Sequence, residues 1–231
     1  MATVADIASR LKARARTRRG RALSARAERR QKLRYLPALL LFSDALRLPD
    51  PIAALDRLPR GSGVVLRHYG APGRAALARA LAPRGRERAI KVLIGADARL
   101  AIRAGAAGLH LPEAQMCSIL AFGSIRQRKR FIVTISAHSL GAVFRAATRG
   151  ADAAILGPVF PTASHPGRPG LGPLRFARFC RQSPIPIYAI GGIGPGNAAR
   201  LKDSGAVGIA GIGAIGLPEH RGTRGMARSR R

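Results

Sequence analysis

Residues 157–196 read GPVFPTASHPGRPGLGPLRFARFCRQSPIPIYAIGGIGPG. An apolar segment, residues 153–156, precedes this stretch, and a second apolar segment, residues 185–190, runs through it into Gly191-Gly192. Continuous apolar segments of this length are typical of strands that are buried on both faces of a parallel sheet. Because small residues let backbone N–H groups approach a ligand closely, the two strand ends predict a site for a phosphorylated small molecule.

The same alternation of short apolar segments and helical segments runs from residue 35 to residue 215. Eight segments have the character of strands: 38–42, 63–67, 91–94, 108–111, 131–136, 153–156, 185–190 and 207–210. Seven have the character of helices: 51–58, 74–81, 98–104, 113–122, 140–148, 173–180 and 195–204. Such an alternation indicates a parallel sheet covered by helices, and eight strands are the number in a (β/α)8 TIM barrel. We therefore predict that α/β fold, with an open, doubly wound sheet as the alternative.

The two ends of the chain are strongly basic. Residues 1–34 hold 12 of the 41 Lys and Arg residues, and residues 216–231 hold five. We expect a basic arm outside the fold at 1–34, the barrel at 35–215 and a basic tail at 216–231. The segment that follows the eighth strand, residues 211–215, is too short for a full helix, so the eighth helix is predicted to be short or degenerate.

Composition and the lack of long hydrophobic segments favour a cytoplasmic protein. The net charge is +30, apolar residues make up 47% and aromatic residues only 4%. No apolar run approaches the roughly 18 residues of a membrane span, and no secretory signal is expected. Non-specific nucleic-acid binding through the basic tails is open, because a basic surface attracts any polyanion. A homo-oligomer is also left open.

Three further segments point to a known family. They are AGAAGLHLPE at 104–113, HSLGAVFRAATRGADAAILGPVFPT at 138–162 and PIPIYAIGGIGPGNAARLKDSGAVGIAGIGAI at 184–215. Together they closely resemble the thiamine phosphate synthase and thiazole tautomerase (TenI-like) superfamily. The resemblance implies a TIM barrel that binds a phosphorylated thiazole. It implies one of two reactions: joining of an aminopyrimidine diphosphate to the thiazole phosphate with magnesium, or metal-independent isomerisation of a phosphorylated thiazole carboxylate.

The chain departs from the synthase pattern where that pattern handles the diphosphate. The synthases' Gln-x-Arg-x-Lys retains only Arg67, and Tyr69 stands at the lysine position. An Asn-Asp pair is replaced by Gly95-Ala96, and a second magnesium aspartate by Gln115. Magnesium prefers hard oxygen ligands, usually including one or two carboxylates. These substitutions argue against full synthase activity. We therefore expect no cofactor, with magnesium required only if the protein is a divergent synthase.

The residues that match the thiazole half of the site are retained. His138, at the end of the fifth strand, matches the histidine that the resemblance assigns to proton transfer, and imidazole suits that role near neutral pH. A helix-capping role for this residue stays open. The candidate binding residues lie at other strand ends: Arg67, Ser136, Thr162, Ser164, Gly191, Gly192, Gly211 and Ile212.

These residues favour a thiamine-biosynthesis protein of the TenI-like, thiazole tautomerase type. A divergent thiamine phosphate synthase is the alternative within the family. A non-catalytic barrel that binds a phosphorylated ligand or RNA is the alternative of another class. A phosphorylated thiazole is the expected small-molecule partner.

Overall fold

The eight predicted strands close into one barrel. The computed structural model describes residues 2–18, 33–122, 130–162, 167 and 169–212. All strands are parallel and follow each other in chain order around the barrel, and the last pairs with the first. They are β1 (Leu39–Phe42), β2 (Gly63–Leu66), β3 (Lys91–Gly95), β4 (Gly108–Leu111), β5 (Ile132–Ala137), β6 (Ala153–Leu156), β7 (Ile187–Ala189) and β8 (Gly208–Ile212). The predicted TIM barrel is confirmed, and the open-sheet alternative is wrong.

Helices cover the outside of the barrel. They are α1 (Val4–Arg18), α2 (Pro51–Arg57), α3 (Arg74–Glu87), α4 (Ala98–Arg103), α5 (Leu140–Thr148) and α6 (Gly172–Gln182). Side-chain caps begin three of them: Asp50 accepts from Ile52 N and Ala53 N, Asp97 from Leu100 N and Ser139 from Ala142 N. Each of these caps satisfies backbone N–H groups that would otherwise lack partners.

Two segments predicted as α-helices are 3₁₀-helices instead, Glu113–Phe122 and Ala198–Leu201. The second is much shorter than the predicted helix at 195–204. Asn197 accounts for this difference, because its side chain accepts a hydrogen bond from Gly194 N at 2.9 Å and donates one to Gly192 O at 2.8 Å. These bonds hold the chain in turns directly after β7.

Alternation along the strands separates the interior of the barrel from the layer beneath the helices. Leu40, Val65, Leu93, Ile155 and Tyr188 belong to the interior cluster, and their neighbours in sequence pack in the outer core. The Tyr188 hydroxyl donates to Pro37 O at 2.6 Å within the buried interior. Side chains of alternate residues therefore point into the barrel and reach its mouth at the strand ends.

The N-terminal helix α1 is part of the fold. Its buried residues, Val4, Ile7, Ala8, Leu11 and Ala15, recur at helical spacing. They form the face of α1 that packs against β8 and β1 and the segment Ala198–Leu201. Arg14 also forms an ion pair with Asp203. The prediction that residues 1–34 lie outside the fold is therefore wrong for this helix.

Other predictions for the chain ends fall outside the described residues. The structure does not describe residues 19–32 and 213–231. The predicted short eighth helix and the predicted basic tail fall in the second of these ranges. Nucleic-acid binding through the tails stays a prediction. None of the described helices combines the length and the hydropathy that a bilayer crossing requires.

If α1 is an integral part of the barrel, Leu11→Ala lowers the free energy of unfolding by about 2–5 kcal/mol, because it removes a buried leucine. Leu11 is 2% exposed, whereas Leu46 is 91% exposed and offers a matched control. Leu46→Ala is expected to change stability by less than about 0.5 kcal/mol. Urea unfolding followed by circular dichroism measures both, and equal small effects would contradict the docking of α1.

Candidate active site

The barrel mouth at the carboxyl ends of the strands holds a cavity of about 560 Å³. Chemistry in TIM barrels occurs at this end, where each strand passes into its loop. Inward-facing residues at or next to the ends of seven strands contribute to the wall: Phe42, Arg67, His110, Ser136, Gly157, Ile190 and Ile212. The cavity is therefore built mainly by strand ends, which fix the positions of its side chains.

Glycines form one side of the cavity, after β7. Gly191 and Gly192 have positive φ angles of 94° and 64°, which favour glycine. A β-carbon at Gly191 would lie 2.6 Å from Pro158 Cβ, so the close approach of the β6 loop also requires a small residue. Among the described residues, no group accepts a hydrogen bond from Gly191 N–H or Gly192 N–H. This side of the cavity thus has both the space and the donors for an anionic group.

A carboxylate orients the histidine at the end of β5. His138 Nδ1 lies 2.8 Å from Glu113 Oε2, and the backbone N–H of His138 donates to the same oxygen at 3.0 Å. Arg145 approaches the other carboxylate oxygen at 3.4 Å. Because an ionised carboxylate only accepts hydrogen bonds, Nδ1 carries the proton in this pair. Nε2 is then the nitrogen of neutral His138 that can accept a proton.

Arg67 is held in place at the end of β2. Its guanidinium donates to Asp44 Oδ2 at 2.7 Å and to Ser43 O at 2.9 Å. The pKa of the Asp44 carboxyl lies below its ordinary value, chiefly because Arg47 N donates to it, and this carboxylate is ionised. Arg67 therefore brings a fixed positive charge to the cavity wall, although Asp44 neutralises part of it.

His110 on β4 is a buried, neutral component of the wall. Its Nδ1 lies 3.0 Å from Thr134 Oγ1, and its Nε2 lies 3.1 Å from Ser136 Oγ. Burial, with a smaller contribution from the charge of Arg67, lowers the pKa of His110 to about 3. The imidazole is thus uncharged at neutral pH, and it fixes the hydroxyl of Ser136 at the cavity.

The cavity brings together most of the residues singled out from the sequence. His138 and the binding candidates Arg67, Ser136, Thr162, Gly191, Gly192, Gly211 and Ile212 all line it. Ser164 lies outside the described residues. The capping role considered for His138 belongs to Ser139, whose side chain caps α5. The functional roles of these residues remain predictions.

Sequence reasoning missed two groups that shape the site. Glu113 carried no signal by itself, because its pairing with His138 depends on the register between β4 and β5. Asp44 stands at the end of β1, and that position was the available signal. Tyr69 and His110 were not among the predicted site residues either, and both line the cavity.

Comparison with known proteins identifies the family. A family model described as thiamine monophosphate synthase matches residues 56–215, more than half of the chain. The chain belongs to the thiamine monophosphate synthase family. The thiamine-phosphate synthase of Chlorobium luteolum is 33% identical over 189 residues, which are 78% of this chain and 86% of that protein. The predicted family is therefore confirmed.

Two further relatives support the fold and the family. The solved structure of thiamine phosphate pyrophosphorylase from Pyrococcus furiosus superposes with a TM-score of 0.67 at 25% identity, over 80% of this chain and 89% of that one. A relative from Aquifex aeolicus is 36% identical over 121 residues, or 52% of this chain. This match spans only 63% of the Aquifex protein's length.

The residues at the family's magnesium positions do not fit the ion. Gly95, Ala96 and Gln115 offer no carboxylate there. Asp97, one position further on, caps α4 by accepting from Leu100 N at 2.8 Å. Within the part of the chain that the structure describes, no three His, Cys, Asp or Glu residues lie together as a metal-binding group.

The neutral state of His110 has a measurable pH dependence. We expect its imidazole to stay unprotonated in the folded protein between about pH 8 and pH 5. The unfolded chain takes up this proton below its ordinary pKa of about 6.5, so the free energy of unfolding decreases as the pH falls from there towards 3. ¹⁵N NMR of labelled histidine measures the titration, with His110→Gln to assign the resonance. A midpoint for His110 between about pH 5 and pH 8 would contradict its burial.

Proposed function

We propose that this family member binds a phosphorylated thiazole at the barrel mouth and isomerises it by metal-independent proton transfer, as a thiazole tautomerase does. The observation that carries this proposal is His138, which lines the cavity and is paired with Glu113. A tautomerisation needs a base that removes a carbon-bound proton and an acid that returns one elsewhere, and a single imidazole can perform both steps.

The orientation of His138 supports this role. Glu113 accepts the Nδ1 proton, so Nε2 is the base in the neutral ring. When Nε2 takes a proton from the ligand carbon, the C–H electron pair stays in the thiazole system and the ring of His138 becomes positively charged. Glu113 stabilises that charge. Return of the proton to a different ligand atom restores neutral His138, with no net oxidation or reduction.

The two sides of the cavity support a ligand with two anionic groups. The N–H groups of Gly191 and Gly192 suit the phosphate, and Gly211 and Thr162 lie on the same cavity wall. Arg67 suits a carboxylate, because its planar guanidinium matches carboxylate geometry. A phosphorylated thiazole carboxylate has both groups on one small molecule.

A divergent thiamine phosphate synthase remains the second candidate. It is favoured by relatives named thiamine-phosphate synthase and by Arg67, which the synthase pattern also contains. The poor fit of the magnesium positions weighs against it, since little else offsets the charge of a departing diphosphate.

An assay in D₂O distinguishes the two candidate functions, with the phosphorylated thiazole carboxylate as substrate for the purified protein. We expect isomerised product that carries deuterium, and no dependence on magnesium. His138→Ala is expected to lower the rate by about 10²–10⁴-fold. Proton NMR follows the product, and phosphate binding checks that the variant is folded. Thiamine phosphate formed at ordinary enzymatic rates, only when aminopyrimidine diphosphate and magnesium are added, would contradict the tautomerase proposal.

Glu113 gives a second test, of the positioning of His138. Glu113→Gln is expected to reduce kcat by about 10- to 100-fold with little change in KM, because the amide cannot stabilise the imidazolium. Its pH–rate profile should also shift relative to the unmodified protein. Glu87→Gln is a matched control, since Glu87 pairs with Arg84 on the exposed face of α3. Equal activity of the two variants would remove Glu113 from the mechanism.

A further inference from the structure

The β3 side of the cavity is built differently from the rest of its wall. Seven strands contribute their own inward-facing end residue, but Gly95 at the end of β3 is not among the lining residues. The lining residue on this side is Tyr69, from the loop after β2. On this side, an aromatic side chain from the loop after β2 lines the cavity in place of a residue from β3.

Tyr69 occupies the space into which a side chain at position 95 would extend. A β-carbon on Gly95 would lie 2.8 Å from Tyr69 Oη, 3.1 Å from Tyr69 Cε1 and 3.1 Å from Leu66 O. The first distance is shorter than van der Waals contact allows, so either the ring or the side chain must move. Gly95 does not have a positive φ, and its backbone would accept other residues. The ring of Tyr69, together with the close backbone approach of Leu66 O, therefore leaves little room for a side chain at position 95.

Arg74 fixes the tyrosine ring. Its guanidinium lies 5.6 Å from the ring centroid, within range of a cation–π interaction. The same guanidinium donates to Arg67 O at 3.0 Å and to Gly95 O, so it joins the ends of β2 and β3. Tyr69 is 49% exposed, and its ring packs on a guanidinium that two hydrogen bonds hold in place.

The charges in this corner suit an anion and not a cation. Arg47 and Arg67 line the same cavity as Tyr69, and the charge of Arg67 acts on the Tyr69 hydroxyl. Asp44 accepts hydrogen bonds from both arginines, at 3.4 Å and 2.7 Å. Asp97 caps α4 and lies 3.8 Å from Arg74. Both nearby carboxylates are thus engaged with arginines, whereas a magnesium ion needs carboxylate oxygens for itself.

We propose that Tyr69 determines the ligand specificity of this pocket by closing its β3 corner to a diphosphate. The pocket then selects a monophosphate whose other end is one compact anionic group, such as a carboxylate, in contact with Arg67. The Tyr69 hydroxyl remains a hydrogen-bond donor at neutral pH, since burial raises its pKa even though Arg67 and Arg74 act in the opposite direction. The choice of a thiazole carboxylate as ligand rests on the proposed function, but closure of the corner does not.

Calorimetric titration with inorganic phosphate and with pyrophosphate, each with and without magnesium, tests the closure. The unmodified full-length protein and Tyr69→Phe, which keeps the ring, are expected to bind the two anions within about threefold of each other. Tyr69→Ala should tighten pyrophosphate binding by about tenfold, which corresponds to about 1.4 kcal/mol, and change phosphate binding by less than about twofold. A salt concentration of about 0.3 M suppresses non-specific binding to the basic surface. The proposal is overturned if the unmodified protein prefers pyrophosphate as strongly as Tyr69→Ala does.

A second measurement tests the steric contact without any ligand. Gly95→Ala is expected to lower Tm by about 3 °C or more in the unmodified protein, and by less than half of that in the Tyr69→Ala background. Equal shifts in both backgrounds would show that the ring does not restrict position 95. Because neither measurement uses a thiazole, loss of the tautomerase proposal would leave these results intact. If the unmodified protein isomerises the thiazole normally but prefers pyrophosphate as strongly as Tyr69→Ala does, only the proposal that Tyr69 closes the β3 corner is overturned.

Discussion

Every strand end at the barrel mouth is held in position by the pairing of β8 with β1. Four residue pairs, from Leu39 with Ile209 to Phe42 with Ile212, close the barrel. A β-carbon at Gly208 would overlap the carbonyl of Ala38, so this seam requires close backbone approach. Closure turns eight separate strand ends into one ring, and it creates the outer surface that α1 covers. Without it the side chains at the mouth would not face a common cavity.

Sequence reasoning predicted the fold well because buried parallel strands leave a strong pattern. All eight strands lie within two residues of their predicted bounds, and α5, which Ser139 caps, was predicted at its observed bounds. The prediction was wrong for α1, which was placed outside the fold because many arginines lie between its apolar residues. The sequence did contain a signal for that face, because Val4, Ile7, Ala8 and Leu11 recur with the spacing of a packed helix.

The site was predictable only as a list of strand ends. His138 and Gly191 could be assigned to the mouth because the position of each residue follows from the strand that precedes it. The partners of these residues could not be assigned, since they depend on register and on loop paths. Glu113 reaches His138 from the start of the 3₁₀-helix that follows β4, and Arg74 reaches two strand ends from a helix. Contacts between neighbouring βα units carry the chemistry of the mouth, and a sequence pattern does not contain them.

Those contacts also change how departures from the family pattern are interpreted. Taken separately, Tyr69 and Gly95 are two departures from the residues that the family pattern has at the diphosphate site. The structure connects them, because the ring of Tyr69 occupies space that a side chain at position 95 would need. Arg74 holds this ring in place, so the β3 side of the pocket is lined by an aromatic side chain and not by the family's metal-binding residues. The two departures thus have one structural explanation, and the proposed preference for a smaller anion follows from it.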